Sequence, residues 1–471
     1  MSTEIENPQK NNSGNLSYPK PLIAWFTVAA LFVAYIFSFI DRMIIGLLVE
    51  PMKADLQISD TEISLLQGMA FAVFYTIAGI PIGRLIDRSS RVKIISIGIS
   101  LWSLMTMVCG FASHYWQLFL ARMGVGVGEA TLSPAAYSII TDSFAPNRLG
   151  LAMGVYGLGS AIGAGLAFII GAAVISLVAS TGDVVLPIVG EVRSWQAAFL
   201  IVGAPGFLVA VIFTILPEPA RRSVTGKPVE TAPMSDVIKF VKSRFSVLAG
   251  IFFAVGFVNL SVFAAVSWLP VLYMRSYGMA LADAGYVAGG AMVFAGFVGL
   301  LGGGWICDKL GGLPHQRIMV SAVAGIGGII GGFLFPLMPG PISATILFIV
   351  FFIACTTPVG AAVSALQQIS PNTMRATLSA AYLFVVNIVG MAFGPTATAL
   401  IGDVFFPQDG GIRYAMAIVA GLGFVVAVGL FLNTARHLKG WTPDEAIPAE
   451  PVKSPAHAPN LGPAVADEGV V

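Results

Sequence analysis

The sequence predicts an all-α integral membrane protein with twelve spanning helices, arranged as two pseudo-symmetric six-helix bundles. Three observations carry this. Of 471 residues, 56% are hydrophobic and only 10% charged, whereas soluble domains carry about 25% charged residues. Twelve apolar segments reach spanning length, roughly 20 residues for a helix. A short polar signature recurs once in each half of the chain.

The apolar segments run at 22–46, 63–83, 93–113, 116–140, 148–176, 196–216, 246–272, 284–306, 316–338, 342–368, 374–402 and 412–436. The gaps are short except for 217–245, which carries Arg221, Arg222, Lys227, Lys239, Lys242 and Arg244. This gives a cytoplasmic N-terminus (1–21), a first bundle (22–216), a linker (217–245), a second bundle (246–438) and a tail (439–471). Both ends are polar, and the tail, rich in Pro, Ala and acidic residues, is expected to be disordered. The first residues hold no apolar core followed by a cleavage site, so the first apolar run reads as a retained span.

Orientation follows from the loop charges. With the N-terminus inside, 19 of the 25 Lys and Arg fall in inner segments and four in outer ones (Lys53, Arg193, Arg275, Arg413), while Arg42 and Arg122 lie within spans. The positive-inside rule therefore puts both termini in the cytoplasm.

Composition also excludes functions. A net charge of +1 offers nucleic acid no basic face. Cys109, Cys307 and Cys355 and the four histidines are scattered, with no metal, redox or disulfide spacing. No nucleophile or phosphate-loop motif appears, so neither an enzyme nor a cofactor is expected.

The halves repeat. Gly83-Arg84-Leu85-Ile86-Asp87-Arg88 follows the second segment, and Gly304-Trp305-Ile306-Cys307-Asp308-Lys309 follows the eighth, 221 residues later. Pro146-Asn147-Arg148 precedes the fifth segment and Pro371-Asn372-Thr373-Met374-Arg375 the eleventh. Twelve helices in two sixes with this loop in both resemble the major facilitator superfamily over residues 20–438. Within it, Asp41-Arg42 and Arg122-Met-Gly-Val-Gly-Val-Gly-Glu129-Ala resemble the Spinster family of lipid transporters. Two departures stand out: Ser90 replaces the usual second glycine of the loop, and the fifth segment lacks the Gly-Pro common in drug antiporters, so antiport is not implied.

Four ionisable residues lie inside spans: Asp41, Arg42, Arg122 and Glu129. A charge at the bilayer centre costs roughly 2.5–3.5 kcal/mol on insertion scales, and such residues usually face a bundle interior or cavity. For Asp41-Arg42 the alternative is a helix end in water. Arg122 and Glu129 are two turns apart and share a face that Ser133 continues. The resemblance places the first and fourth helices on a central cavity, where all four charges meet. Asp41 and Glu129 are then the proton-coupling candidates, and Arg42 and Arg122 hold an anionic or zwitterionic head group. The competing reading is a neutral cluster that only fixes packing. Ser133, Phe253, Phe257, Thr356 and Asn387 are further substrate-site candidates, the aromatics alternatively facing lipid and the polar groups alternatively satisfying backbone.

The repeated loops read as gates. Arg375 is the expected partner of Asp87, and Arg148 of Asp308; Asp142 is expected to bind Arg88 or Arg91. The bland alternative is a set of exposed charges worth little each. The expectation is a proton-coupled carrier of a lysophospholipid or sphingosine-phosphate-like lipid, monomeric and, from its short loops, in a bacterial inner membrane. A small organic anion or drug is the alternative cargo, and a receptor that binds without flux the alternative class.

Overall fold

The structure, a computed structural model, describes residues 18–181, 184–186, 190–221, 233–310, 313–371, 373–408 and 410–439. Most of the expected N-terminal segment and nearly all of the tail fall outside the described residues.

Spans 1 to 3 are Pro21–Leu56, Asp60–Arg88 and Arg91–Cys109. Span 4 comes in two pieces, Tyr115–Glu129 and Leu132–Ser143. Spans 5 and 6 are Pro146–Thr181 and Ser194–Ile215. Spans 7 to 10 are Phe245–Tyr277, Leu281–Lys309, Pro314–Leu334 and Pro341–Ile369. Span 11 runs from Arg375 to Phe405 and span 12 covers Ile412–His437. Among the described residues, eleven helices are individually long and apolar enough to cross a membrane. Span 4 is the twelfth. It is interrupted at Ala130–Thr131, immediately after Glu129 and the three glycines Gly124, Gly126 and Gly128, which lower helix stability by roughly 1 kcal/mol each relative to Ala.

Two elements escaped the hydropathy reading. A small antiparallel hairpin, Val184–Leu186 with Gly190–Val192 in the register Val184↔Val192, lies between spans 5 and 6. A helix at Met234–Ser243 lies in the linker. We call the face carrying the linker and the repeated loops the inner face, as the charge bias assigns it.

Span 1 has 36 residues, about 54 Å at 1.5 Å per residue, against a hydrocarbon core of about 30 Å. It continues ten residues past the predicted end at 46. Asp41 and Arg42 are therefore deep in the helix, only 2% and 9% exposed, and the helix-end reading is excluded.

Spans 2 and 11 each contain one turn of π-helix, Leu65–Met69 and Ile388–Ala392. The two wide turns pack on each other. A Cβ on Gly68 would lie 2.6 Å from the Met391 carbonyl oxygen, so only glycine lets the backbones come this close. Toward the outer face the halves share one apolar core, which includes Ile44, Leu47, Phe168, Trp268 and Leu272. Toward the inner face the first six spans form their own cluster, whose only fully buried members from the other half are Met391 and Ala392.

Candidate functional site

Spans 1 and 4 meet at a buried ion pair. Arg42 Nη2 donates to Glu129 Oε2 at 2.5 Å, and the Ser38 hydroxyl donates to the same oxygen at 2.6 Å. Ser38 lies one helical turn before Arg42 and so shares its face. Phe39 and Phe71 sit 4.8 and 4.4 Å from the guanidinium carbon, and Tyr75 at 5.5 Å, a geometry that holds a cation over aromatic faces. The pair is not saturated: Arg42 Nε and Glu129 Oε1 are buried without a hydrogen-bond partner.

Of the four intramembrane charges, Arg42 and Glu129 form the direct salt bridge among the described residues. Arg122 is fully buried, but it reaches backbone: Nη1 donates to the Asp41 carbonyl at 3.0 Å, with longer contacts at 3.5 Å to the carbonyls of Arg42 and Leu66. It ties spans 4, 1 and 2 together. Asp41 Oδ1 has no partner. Consecutive residues point about 100° apart on a helix, so Asp41 leaves the pairing with Glu129 to Arg42, while lying within electrostatic reach of Glu129 and Arg122.

Ser133 lies beyond the break in span 4, with its hydroxyl 3.2 Å from Tyr156 Oη. Tyr156 stacks on Tyr35, ring centres 4.6 Å apart, and Tyr137 meets it edge-on at 5.6 Å. The result is a wall of tyrosines next to the ion pair. Thr356 donates to the carbonyls of Phe352 and Ile353 and packs on Gly299 of span 8, which makes it a packing residue. Phe253 is 43% exposed, while Phe257 is half-buried. It is Phe252 that contacts Tyr382, at 5.7 Å. Asn387 is half-buried at the start of the span 11 π-turn.

At the inner face, Asp87, Arg88, Arg148 and Arg375 are exposed. Among the described residues Asp87 has no partner, and Arg375 donates to the Ser370 carbonyl at 3.1 Å, so the two expected partners are not paired here. The side chain of Asp308 lies outside the described residues. Arg91, not Arg88, holds Asp142. Arg91 is itself fully buried, donating also to Glu218 at 2.7 Å, to Ser138 at 2.8 Å and to the Pro219 carbonyl at 2.6 Å. Partial burial pushes the Glu218 carboxyl up, but the Val92 amide, the Arg91 guanidinium and the Ser90 hydroxyl outweigh it and hold it below the usual carboxylate range.

The outer face is latched. Arg275 of span 7 takes Glu50 of span 1 at 2.7 Å and grips both oxygens of Asp60 of span 2 at 2.6 and 2.9 Å. Lys53 also pairs with Asp60, and Thr61 donates to Asp403 of span 11 at 2.6 Å. Asp55 is held by Arg193 and by Trp195 Nε1. Charge bias gave Lys53, Arg193 and Arg275 only as outer-loop cations.

Two six-span halves, the first holding a buried, unsaturated ion pair between spans 1 and 4, joined to the second by charged contacts at the outer face, define a multi-pass membrane transporter. The chain belongs to the Major Facilitator Superfamily, whose profile matches residues 31–395. It is similar to a solved bacterial homolog of the human lysosomal transporter Spinster in an inward-facing, unoccupied conformation. The identity is 26%, the match covers 90% of this chain and 100% of that one, and the TM-score is 0.76. Among curated proteins it is 27% identical to an MFS-type efflux pump of Mycolicibacterium smegmatis, over 88% of this chain and 94% of that protein. It is also 27% identical to protein spinster homolog 1 of Xenopus laevis, over 90% of this chain and 82% of the relative.

Proposed function

We propose that this transporter is proton-coupled and moves an amphiphilic, lipid-like substrate, a lysophospholipid or a sphingosine-phosphate-like lipid, by alternating access. The observation that carries the reading is the buried Arg42–Glu129 pair with its unused Nε and Oε1. A phosphate or carboxylate head group competes with Glu129 for the guanidinium fork. Protonating Glu129 weakens its hold on Arg42 and leaves the cation to the substrate. Asp41, on another side of span 1 and without a cation on its carboxylate, is the second acid. An ionised carboxylate buried with one oxygen unpartnered is costly, so the state of Asp41 is tied to the conformation around it.

For the tail we look to the open apolar groove at the surface between spans 5 and 8, lined by Leu166, Ile169, Val293, Phe294 and Phe297. The latches fit a rocking cycle: Arg275 closes the outer face now, and Asp87–Arg375 with Asp308–Arg148 would close the inner face in the outward-open state. We place both termini in the cytoplasm, the protein in a bacterial inner membrane, and the working unit at one chain. A small organic anion is the second reading, favoured by the polar tyrosine wall beside Arg42, which a tail does not need.

The test is flux against pH in proteoliposomes. Asp41→Asn and Glu129→Gln should bind substrate yet lose the pH dependence of transport. Unchanged pH dependence in both variants removes the coupling role, and saturable binding without flux in the unaltered protein favours a receptor.

A further inference from the structure

We infer that the linker helix Met234–Ser243 lies in the inner head-group layer of the bilayer and binds anionic phospholipid head groups through Lys239 and Lys242. The chain of observations starts from the order of side chains around the helix. At about 100° per residue, Val237, Phe240 and Val241 share one side, and these are the residues packed against the protein core. Next round the helix come Met234 and Ile238, 63% and 48% exposed. Beyond them come Lys242 and then Lys239, both exposed, and last Asp236. The surface thus passes from protein contact to exposed hydrocarbon to cation to acid.

Exposed Met and Ile side chains on a helix already packed on its other side need a second apolar neighbour. That neighbour is identified by continuity. The helix ends at Arg244, and Phe245, 63% exposed, opens span 7 directly beyond it. The apolar edge of the linker helix therefore runs into the belt by which span 7 enters the bilayer. A partner protein is disfavoured by the same geometry, since it would have to occupy the depth at which span 7 meets lipid. The two lysines sit on the side of this edge that faces head groups, at the place where an interfacial helix carries its cations. Lys239 has only a long contact of 3.7 Å to Asp236, and its side chain is 81% exposed, so it remains available to a phosphate.

The experiment uses the full chain in lipid nanodiscs, with Ile238→Cys carrying an environment-sensitive fluorophore. The native cysteines are buried and leave the label site-selective. Brominated phosphatidylglycerol and brominated phosphatidylcholine are compared as quenchers. We expect quenching by both, stronger with phosphatidylglycerol. Each lysine near an anionic surface contributes about a fivefold preference in low salt, falling as salt rises. The preference should fall in Lys239→Gln/Lys242→Gln and return in Lys239→Arg/Lys242→Arg. A label that neither lipid quenches places the helix off the membrane and overturns the inference. Equal quenching by the two lipids, or a preference that survives the glutamine pair, overturns the anionic site. The salt titration on the unaltered lysines reads the same electrostatic contribution should the glutamine pair fold poorly.

Discussion

Arg275→Gln should release the outer latch and move the conformational equilibrium toward the outward-open state. Arg275 binds two carboxylates of the other half, one of them through both oxygens. The guanidinium is 19% exposed, Asp60 9% and Glu50 38%. A surface pair is worth about 0.2–1 kcal/mol, whereas a hydrogen bond to a charged group contributes about 1.5–3 kcal/mol. The Glu50 contact belongs to the first range and the Asp60 fork lies between the two. Together they give about 2 kcal/mol, a shift of roughly 30-fold. A state held at about 1% then rises to about 20–25%. Glutamine keeps a donor but neither the charge nor the fork, and Lys53 still holds Asp60, so the latch weakens without leaving Asp60 bare. Spin labels on either side of the outer face, read as a distance distribution in nanodiscs, measure the outcome. A second, longer distance should appear in Arg275→Gln, with a smaller one in Arg275→Lys. If the distribution is unchanged while the melting temperature falls, Arg275 only stabilises the fold and the latch assignment is wrong.

Three further outcomes are expected. Gly68→Ala puts a Cβ 2.6 Å from the Met391 carbonyl, so it should separate spans 2 and 11 and raise the same long-distance population, an effect absent from Gly79→Ala, which meets nothing within 4 Å. Arg42→Ala leaves Glu129 buried and unpaired, which costs about 3–5 kcal/mol; thermal unfolding should find Arg42→Ala/Glu129→Gln more stable than Arg42→Ala alone, and simple additivity would contradict the pair's isolation. Glu218 is held below its ordinary pKa in the folded protein, so its contribution is present above about pH 4.3, the unfolded value, and is lost as pH falls through the folded one. Melting temperature against pH should therefore show an acid limb that Glu218→Gln flattens, and an identical limb in the variant would count against the clasp.

The sequence carried some of this clearly. Spans are legible because a bilayer demands long apolar helices, and buried charges are legible because hydrocarbon makes each one conspicuous. Periodicity also held more than was drawn from it: Tyr35, Ser38 and Phe39 lie seven, four and three residues before Arg42, the spacing of one helix face, and all three border the ion pair or its tyrosine wall. Two things were out of reach. Hydropathy stops where charges begin, so it ended span 1 at 46 although the helix runs on to Leu56 through Glu50, Lys53 and Asp55. Long-range pairing also leaves no local trace. Arg275 and Glu50 are separated by 225 residues, and Arg91 and Glu218 by 127; no spacing rule links them. Which of the four intramembrane charges pair directly was out of reach too: only Arg42 and Glu129 form a salt bridge, while Arg122 spends its donors on backbone carbonyls.

The loop signature itself divides into a fixed part and a loose part, and the division has a mechanical meaning. Arg91 is buried and fastened to Asp142 at the inner end of span 4 and to Glu218 and Pro219 after span 6. Arg221 adds the Ile86 and Ser89 carbonyls at 2.5 and 2.7 Å. All of these contacts stay within the first six spans, so they survive any rotation of one half against the other. Asp87, four residues before Arg91, is exposed and, among the described residues, unpaired. A latch must be able to open, so its partner has to lie in the other half; a clasp must not, so its partners lie in its own. In the proposed cycle the clasp holds the end of span 2, and Asp87 would travel with its half toward or away from Arg375. On this reasoning Arg91→Ala should disorder the inner end of the first half and lower stability in every state. Asp87→Asn should leave stability nearly untouched and shift only the balance between states. Melting temperature and the spin-label distances, measured on the same two variants, separate these roles, and the reverse pattern would mean that the fixed and moving parts have been exchanged.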